Sequence, residues 1–445
     1  MTEISILNKI RDAGVVGAGG AGFPAFKKLT SKVDHIIANG VECEPLLYKD
    51  REVMLQETEK LIAGISIVRE LTGASKATLA IKRKNEDLVK LLYPSAKKEK
   101  IDIHISENVY PAGDEFILVY EVTGKRIPPG GIPLMVGCVV NNVETLVNIA
   151  NAVDDVPVTE KYLTITGAVQ NPVTVKVPVG ISVNDCLLLA GGPSVQDPVI
   201  LTGGVMMGGV ETDLSVTVNK TLGGLIVLPA DHTLVVRKTS PSKSYNKSGH
   251  STCDQCTFCT QLCPRYILGY PIQPHLVMRS LQMTGDAKDR LNQWAEHCCE
   301  CNVCTLFACP EKLDPKNICV DTKTRLKENK NGFTKDQLEE VFRDIHPARD
   351  GREIPITSLY QRLGLKKYDR KAEFISSTFG FERVIVPLKY GFGNVSTPIV
   401  SIGMRVNKGE LIAVSANNDS SVPVHASISG IVKEVSDNGI LILTN

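Results

Sequence analysis

The chain has 445 residues, 43% of them hydrophobic and 22% charged, with 50 basic against 49 acidic side chains and a formal net charge of +1. That length exceeds one core and predicts about three or four domains, while the charge balance excludes a one-sign field that would recruit nucleic acid. No apolar run approaches the ~20 residues that span a bilayer, and the start, MTEISILNKIRDAG, lacks a signal-peptide core, so a cytoplasmic protein without a membrane span is expected. In chain order, Ile4, Leu7 and Ile10 fall on helical spacing and read as a first helix.

Residues 14–24 then read GVVGAGGAGFP. A glycine-rich loop lets backbone N–H groups approach a phosphate without side-chain hindrance, and a following helix adds its positive end. Three further segments accompany it: NGVECEP from Asn39 to Pro45, YPAGDE from Tyr110 to Glu115, and NNVET from Asn141 to Thr145. Taken singly, each is equally a turn of an α/β domain, with Asn39–Gly40 and Asn141–Asn142 as turn formers and Glu42 and Glu44 as solvated carboxylates. Their joint occurrence points to a nucleotide site. Cys43 reads as a small buried residue, because no histidine lies close in sequence to activate it. The run Lys82, Arg83, Lys84 is followed at once by Asn85, Glu86 and Asp87 and reads as a solvated face.

This set resembles the flavin- and NADH-binding subunit of respiratory complex I and its relative in the Rnf complex, the RnfC component. The resemblance implies FMN with NADH as electron donor. By matching, Gly17, Gly19, Gly20, Gly22 and Lys28 would surround the FMN phosphate and ribityl chain, and Asn39, Asn141, Asn142 and Thr145 would also hold the flavin. Glu42 and Glu44 would be the catalytic carboxylates near the isoalloxazine and nicotinamide, with Tyr110, Gly113, Asp114 and Glu115 nearby. Ala18 stands where complex I has arginine, and Asp114 where it has glutamate; both bear on NADH affinity more than on FMN.

Residues 161–192 show alternating strands around an Asn–Pro turn, then a short helix ending in Gly–Gly. They resemble the β-grasp domain that follows the flavin domain in the same family, and TGGVMMGG (Thr202 to Gly209) resembles its continuation, with Met206 and Met207 as packing.

Nine of the 13 cysteines fall between Cys253 and Cys309. CDQCTFCTQLCP places Cys253, Cys256, Cys259 and Cys263 before Pro264 in the C-x2-C-x2-C-x3-C-P run of bacterial ferredoxins. In CCECNVCTLFACP, Cys298, Cys301 and Cys304 keep the two-residue gaps, but four residues rather than three precede Cys309 and Pro310. By the two-cluster rule, cluster one takes Cys253, Cys256, Cys259 and Cys309, and cluster two takes Cys298, Cys301, Cys304 and Cys263. The extra residue before Cys309 is a departure that bears on the geometry of cluster one, and Cys299 is left over, a competing ligand on one reading and the expected bystander on the other. Structural zinc also uses C-x2-C pairs, but eight cysteines with two prolines in ferredoxin order fit two [4Fe–4S] cubanes better. Between the runs, Pro271 to His297 reads as one or two short helices broken near Gly285, with Leu276, Met278, Leu281, Leu291 and Trp294 on their apolar sides.

Residues 314–365 are charged and helical in pattern, and the last seventy or so turn to short β runs: VIVPL, ELIAV and GIVKEV. That ending resembles the barrel–sandwich hybrid of lipoyl and biotinyl carriers, but the stretch matching their hairpin tip, ANNDSSVPVHAS, has no lysine, so docking or structure is expected rather than a swinging arm. The fold expected is multidomain α/β + α+β: a Rossmann-like FMN/NADH domain at 1–155, a β-grasp (SLBB-like) domain at 156–240, a helical two-[4Fe–4S] ferredoxin-like module at 246–320, a helical connector at 321–372, and a barrel–sandwich hybrid at 373–445.

A flavin domain at the start and a barrel at the end, together with GVVGAGGAGFPA, CDQC and ECNVCTLFACP, closely resembles the cobalamin reductases of propanediol-utilisation microcompartments. That resemblance implies NADH-dependent reduction of cobalamin cobalt, with an adenosyltransferase as partner, and contact with microcompartment shell proteins or residence in the lumen. It also opens a second reading of the N-terminal helix, as an encapsulation signal. Two other readings stay open. One is a general NADH-linked electron carrier for another acceptor, since the chain has no DxHxxG cobalamin signature; the other is a docking subunit with a vestigial flavin site.

Overall fold

The computed structural model describes residues 2–376, 380–391, 393–415 and 421–444. Within the ANNDSSVPVHAS stretch, residues 416–420 lie outside the described residues. No described helix is long and apolar enough to cross a membrane.

The strand His35–Gly40 is buried on both faces: Ile36 and Ala38 pack with Leu79 and Ile81 on one side, and Ile37 with Ala80 and Val140 on the other. A parallel strand covered twice by helices requires such a run. Its sheet is ordered Asp102–Ser106, Lys76–Lys82, His35–Gly40, Cys138–Asn142, all parallel. The helices Thr58–Thr72 and Val143–Val153 lie close because Gly64 has no side chain; a Cβ there would stand 2.1 Å from the Leu146 carbonyl oxygen. The two strands bearing the asparagine segments are neighbours, with Asn39 opposite Asn142. Ligands of open α/β sheets bind at such carboxyl ends.

A six-stranded sheet follows, ordered Glu373–Phe374, Val173–Pro178, Glu160–Gly167, Gly224–Pro229, Pro198–Thr202, Gly209–Glu211. Glu160–Gly167 and Val173–Pro178 form the antiparallel pair around the expected Asn–Pro turn. Helix Val183–Leu189 starts on a Ser182 cap and gives way to Gly191 at φ +76°, a value glycine accepts without Cβ strain. The barrel was expected to begin at 373, but Glu373–Phe374 pairs in parallel with Val173 and Thr174 at the edge of this second sheet.

The cysteine-rich segment is helical, with Pro264, Pro274 and Pro315 opening three of its helices, where a missing N–H costs nothing. Pro274–Ser280 and Gly285–Asn292 are the two helices expected between the cysteine runs. The additional residue before Cys309 is absorbed by a π-helical turn over Val303–Ala308, in which the Cys309 N–H reaches the Cys304 carbonyl at 3.1 Å. The connector is not purely helical: Ile354–Pro355 pairs antiparallel with Val109–Tyr110 of the first domain.

The C-terminal β segments form a four-stranded sheet (Arg383–Val386, Gly439–Leu443, Gly430–Ser436, Arg405–Val406) and a three-stranded one (Thr397–Pro398, Leu411–Val414, Val424–His425). Their shared core of Val386, Ile412, Val424 and Ile440 also takes in Val16 and Val179, which seats this unit on the first two domains.

Candidate electron-transfer site

The loop from Gly17 to Phe23 is pinched at its base, where the Gly17 N–H donates to the Phe23 carbonyl at 2.9 Å. It arches over the carboxyl ends of the two central strands and bounds a cleft of about 890 Å³. The cleft collects Gly17, Gly19, Gly20, Gly22, Lys28, Asn39, Glu42, Glu44, Gly113, Asp114, Glu115, Asn141, Asn142 and Thr145 from segments far apart in sequence. Tyr110 is absent from its walls.

Most of the polar groups expected to hold the flavin bind the protein itself. Asn39 donates to the Gly113 carbonyl at 3.0 Å and accepts from the Val41 N–H at 3.1 Å. Asn142 caps the helix Val143–Val153 through Glu144 N–H and donates to Asp50 at 2.9 Å. Thr145 accepts the Ala18 N–H at 2.9 Å, which anchors the glycine loop to that helix. Lys28 reaches Glu115 at 3.3 Å and the Val140 carbonyl at 3.4 Å. Among the groups expected at the flavin, Glu42 Oε2 and Asn141 Nδ2 are buried without a hydrogen-bond partner among the described residues, and a Cβ on Gly20, at φ +142°, would meet nothing within 4 Å. Unpaired polar atoms at the wall of an open glycine-lined cleft fit a polar planar ligand with a phosphate tail.

From Lys49 and Asp50 in the cleft wall runs a charged chain that sequence reading missed. Lys49 sits between Asp50 at 2.5 Å and Glu144 at 3.1 Å, and Lys161 meets the same Glu144 oxygen. Tyr162 N–H donates to the other oxygen at 3.0 Å. Burial works to raise the Glu144 carboxyl, but the two ammonium groups outweigh it and hold it below the usual range. Burial lowers Lys161 to about 8 against the pull of Glu144. One signal was available: Lys161 stands at the same strand parity as Leu163 and Ile165, on the buried face of its strand. Glu42 borders this chain; its Oε1 accepts the Asp50 N–H at 3.3 Å, and burial with the Asp50 charge lifts its carboxyl to about 7.

Glu44 is held by the second domain. Its oxygens accept the N–H groups of Met206 and Met207, both at 2.8 Å, and Gly204 leaves the space its carboxylate fills. Burial raises its carboxyl, and the two N–H groups counter that rise. The backbone of TGGVMMGG, rather than its methionine side chains, thus serves the site.

Cys253, Cys256, Cys259 and Cys309 line one cavity, the expected cluster-one set. Cys263, Cys301 and Cys304 neighbour one another, and Cys304 also feels Cys298. Cys298, however, also lies beside the buried Cys319, while Cys299 neighbours Cys301 and lines the cleft. Among the described residues, no three His, Cys, Asp or Glu side chains close on a single-ion site.

Two expected ligands turn out to join domains. The Tyr110 hydroxyl donates to the Cys301 carbonyl at 2.8 Å. Asp114 caps the helix Glu115–Thr123 with one oxygen and pairs with Arg265 through the other at 2.7 Å. Arg265 follows Cys263 and Pro264 directly and stacks 3.6 Å over the Phe116 ring. Tyr110 and Asp114 thus tie the flavin cleft to the cluster loops.

Known families match these units in the same order. Residues 10–151 match the Nuo51 FMN-binding domain, 162–209 the SLBB domain, 252–314 the 4Fe-4S dicluster domain, and 363–442 the RnfC barrel sandwich hybrid domain. The chain is 38% identical over 440 residues to the cobalamin reductase PduS of Citrobacter freundii, covering 99% of this chain and 96% of that one. For the cobalamin reductase PduS of Salmonella typhimurium the identity is 38% over 442 residues, covering 98% and 96%. A component of the proton-translocating ferredoxin:NAD(+) oxidoreductase complex of Clostridium ljungdahlii is 32% identical over 274 residues, covering 60% of this chain and 57% of that one. An NAD+-reducing [NiFe]-hydrogenase in its H2-reduced state shares the fold at a TM-score of 0.52, with 22% identity over 76% of this chain and 64% of that one. Matched along its whole length, the chain belongs to the cobalamin reductase PduS family and is a flavoprotein oxidoreductase with FMN and two [4Fe–4S] clusters.

Proposed function

We propose that this chain takes electrons from NADH and passes them to cobalamin cobalt, so that a partner adenosyltransferase can regenerate the coenzyme. The observation that carries the reading is one cleft wall shared by the flavin residues and the cluster-two loop, since Cys299 and Cys301 line the same cleft as Glu42 and Asn141. The flavin supplies hydride acceptance and single-electron release, and the clusters supply one-electron storage.

The residues divide the remaining work. Backbone N–H groups of Gly19, Gly20 and Gly22, with Lys28, hold the phosphate end on a loop that Gly17 pins at its base, while Asn39, Asn142 and Thr145 act by fixing the loops. Asn141 Nδ2 is the donor left for the ring. Glu42, with a carboxyl near 7, holds or releases a proton at Oε2, and Glu44 is oriented by Met206 and Met207 on the nicotinamide side. Cys263, Cys298, Cys301 and Cys304 would hold the cluster on the cleft side, and the partly buried Cys253 and Cys256, with Cys259 and Cys309, would hold one open to an acceptor. Reaching cob(I)alamin from NADH is uphill, and each ~59 mV of deficit costs about tenfold; the partner shifts the cobalt potential, or the product is mainly cob(II)alamin.

The finer architecture belongs to the same reading: a Rossmann-like first domain to about residue 155, a β-grasp second domain to about 240, a ferredoxin-like module to about 320, and a barrel from about 383. Association with a microcompartment and its shell proteins belongs to it too, on the likeness to the PduS relatives.

The test is anaerobic stopped-flow absorbance of the reconstituted protein mixed with NADH and then hydroxocobalamin. Flavin bleaching followed by cob(II)alamin formation is expected. Flavin and cluster reduction without a cobalt change would sink the cobalamin step and leave the general NADH-linked carrier.

A further inference from the structure

A second cavity, of about 580 Å³, lies behind the flavin cleft and shares Met207, Gly208 and Gly209 with it. That volume is in the range of small-molecule sites. Its charge is one-sided: Arg237, Lys238 and Lys316 face a single carboxylate, Asp314. The three cations come from two elements, Arg237 and Lys238 from the end of helix Thr233–Lys238 and Lys316 from the first turn of Pro315–Asn329. Among the described residues, none of the three has an ionic partner within salt-bridge distance. Lys238 donates to the carbonyls of Met206 at 3.1 Å and Gly208 at 2.7 Å. Arg237 donates to the Thr305 carbonyl, and Lys316 to the Asn317 amide oxygen at 3.0 Å. Asp314 is turned to Thr305 and Asn317 and forms no ion pair with them, although its charge reaches Arg237 and Lys238 and that of Glu44 reaches Lys238.

A second signal stands in the same wall. Asn302 is 7% exposed and donates to the Met206 carbonyl at 2.9 Å, yet its Oδ1 has no partner among the described residues. A buried amide oxygen without a donor implies a ligand that brings one.

We propose that this cavity binds a phosphorylated small molecule carrying a hydroxyl or N–H donor, the phosphate against Arg237, Lys238 and Lys316 and the donor against Asn302 Oδ1. That chemistry has two sources, a separate phosphorylated metabolite or the diphosphate half of the dinucleotide passing Gly208 and Gly209. The second source rests on the NADH reading above; the site itself does not.

The probe is inorganic pyrophosphate, titrated calorimetrically into the oxidised holoprotein, the Lys316→Gln and Lys316→Glu variants, and Lys433→Gln on the barrel as a control. Flavin and cluster absorbance reports that each variant is folded. Saturable binding is expected, weakened about tenfold by Lys316→Gln and further by Lys316→Glu, with Lys433→Gln unchanged. Loss of pyrophosphate binding at saturating NAD+ assigns the site to the dinucleotide, and persistence assigns it to a separate ligand. Absence of binding at millimolar pyrophosphate, or equal affinity in the wild type and both Lys316 variants, overturns the proposal. Because the readout is direct, a chain that fails to use NADH still tests the site.

Discussion

The hydroxyl of Tyr110 donates to the carbonyl oxygen of Cys301 at 2.8 Å, in a position where Tyr110 is 3% exposed. A residue of the flavin domain thereby fixes the backbone of a cluster-two ligand. Tyr110→Phe removes the donor, leaves a buried carbonyl unpaired, and should cost about 1 kcal/mol. The ring still fills its site, so flavin and iron content should be retained. The rate of cluster bleaching after flavin reduction should fall several-fold in stopped-flow traces, because the Cys301 loop is freed. An unchanged rate would show that the bond serves stability alone.

Glu42 carries the pH dependence. Its carboxyl moves from 4.5 to about 7, through burial first and then the Asp50 charge, partly offset by Lys84 and Lys49. Across that window the folded chain binds more protons than the unfolded one, so stability falls as pH rises from about 4.5 through about 7. Above the window an extra buried negative charge also repels an anionic dinucleotide. Glu42→Gln should flatten denaturation midpoints between pH 5 and pH 8 (an assay range of about three units) and remove a rise in KM for NADH above neutrality. A variant that keeps the wild-type slope would move the proton to another group.

How much of this was readable beforehand varied with the range of the interaction. The cysteine sets and the helices Pro274–Ser280 and Gly285–Asn292 are local patterns, written in gaps of a few residues and in one glycine. The strands of the barrel announced themselves by β-branched runs for the same reason. The chain Lys49–Glu144–Lys161 joins three segments whose pairing only tertiary contact decides. Tyr110 and Asp114 show the opposite limit: their motif puts Gly113, Asp114 and Glu115 on the cleft wall, yet the side chains of Tyr110 and Asp114 bind Cys301 and Arg265 rather than offer the cleft free donors and acceptors. The clamp on Glu44 comes from backbone N–H groups, which no residue type advertises.

The adjacent cysteines at the start of the second run make a separable pair. Spacing assigns Cys298 to cluster two, although its thiol faces Cys319 and Cys299 lies beside Cys301. Cys299→Ser should keep both clusters, and Cys298→Ser should lose about half the iron, as should Cys256→Ser at cluster one. Iron analysis with EPR of the reduced proteins reads this directly. Full iron in Cys298→Ser with a deficit in Cys299→Ser would exchange their roles.

The barrel meets the flavin loop through two glycines. Gly391, at φ +51°, lies so close that a Cβ would stand 2.1 Å from the Ala21 carbonyl oxygen, and a Cβ on Gly22 would stand 3.1 Å from Gly391 Cα. The first contact leaves no room for a methyl group and the second is tight, and the positive φ adds strain for any L side chain. Gly391→Ala must push the glycine loop or lift the barrel, at a cost of about 1–3 kcal/mol. If the loop moves, FMN affinity should fall about tenfold or more while cluster content is kept, because the cysteine loops are braced by Tyr110 and Arg265 instead. Flavin released on gel filtration, with iron measured on the same fractions, separates the two. Unchanged flavin retention would mean that the barrel yields first, and the domain would then be a docking module and not a brace for the cofactor loop.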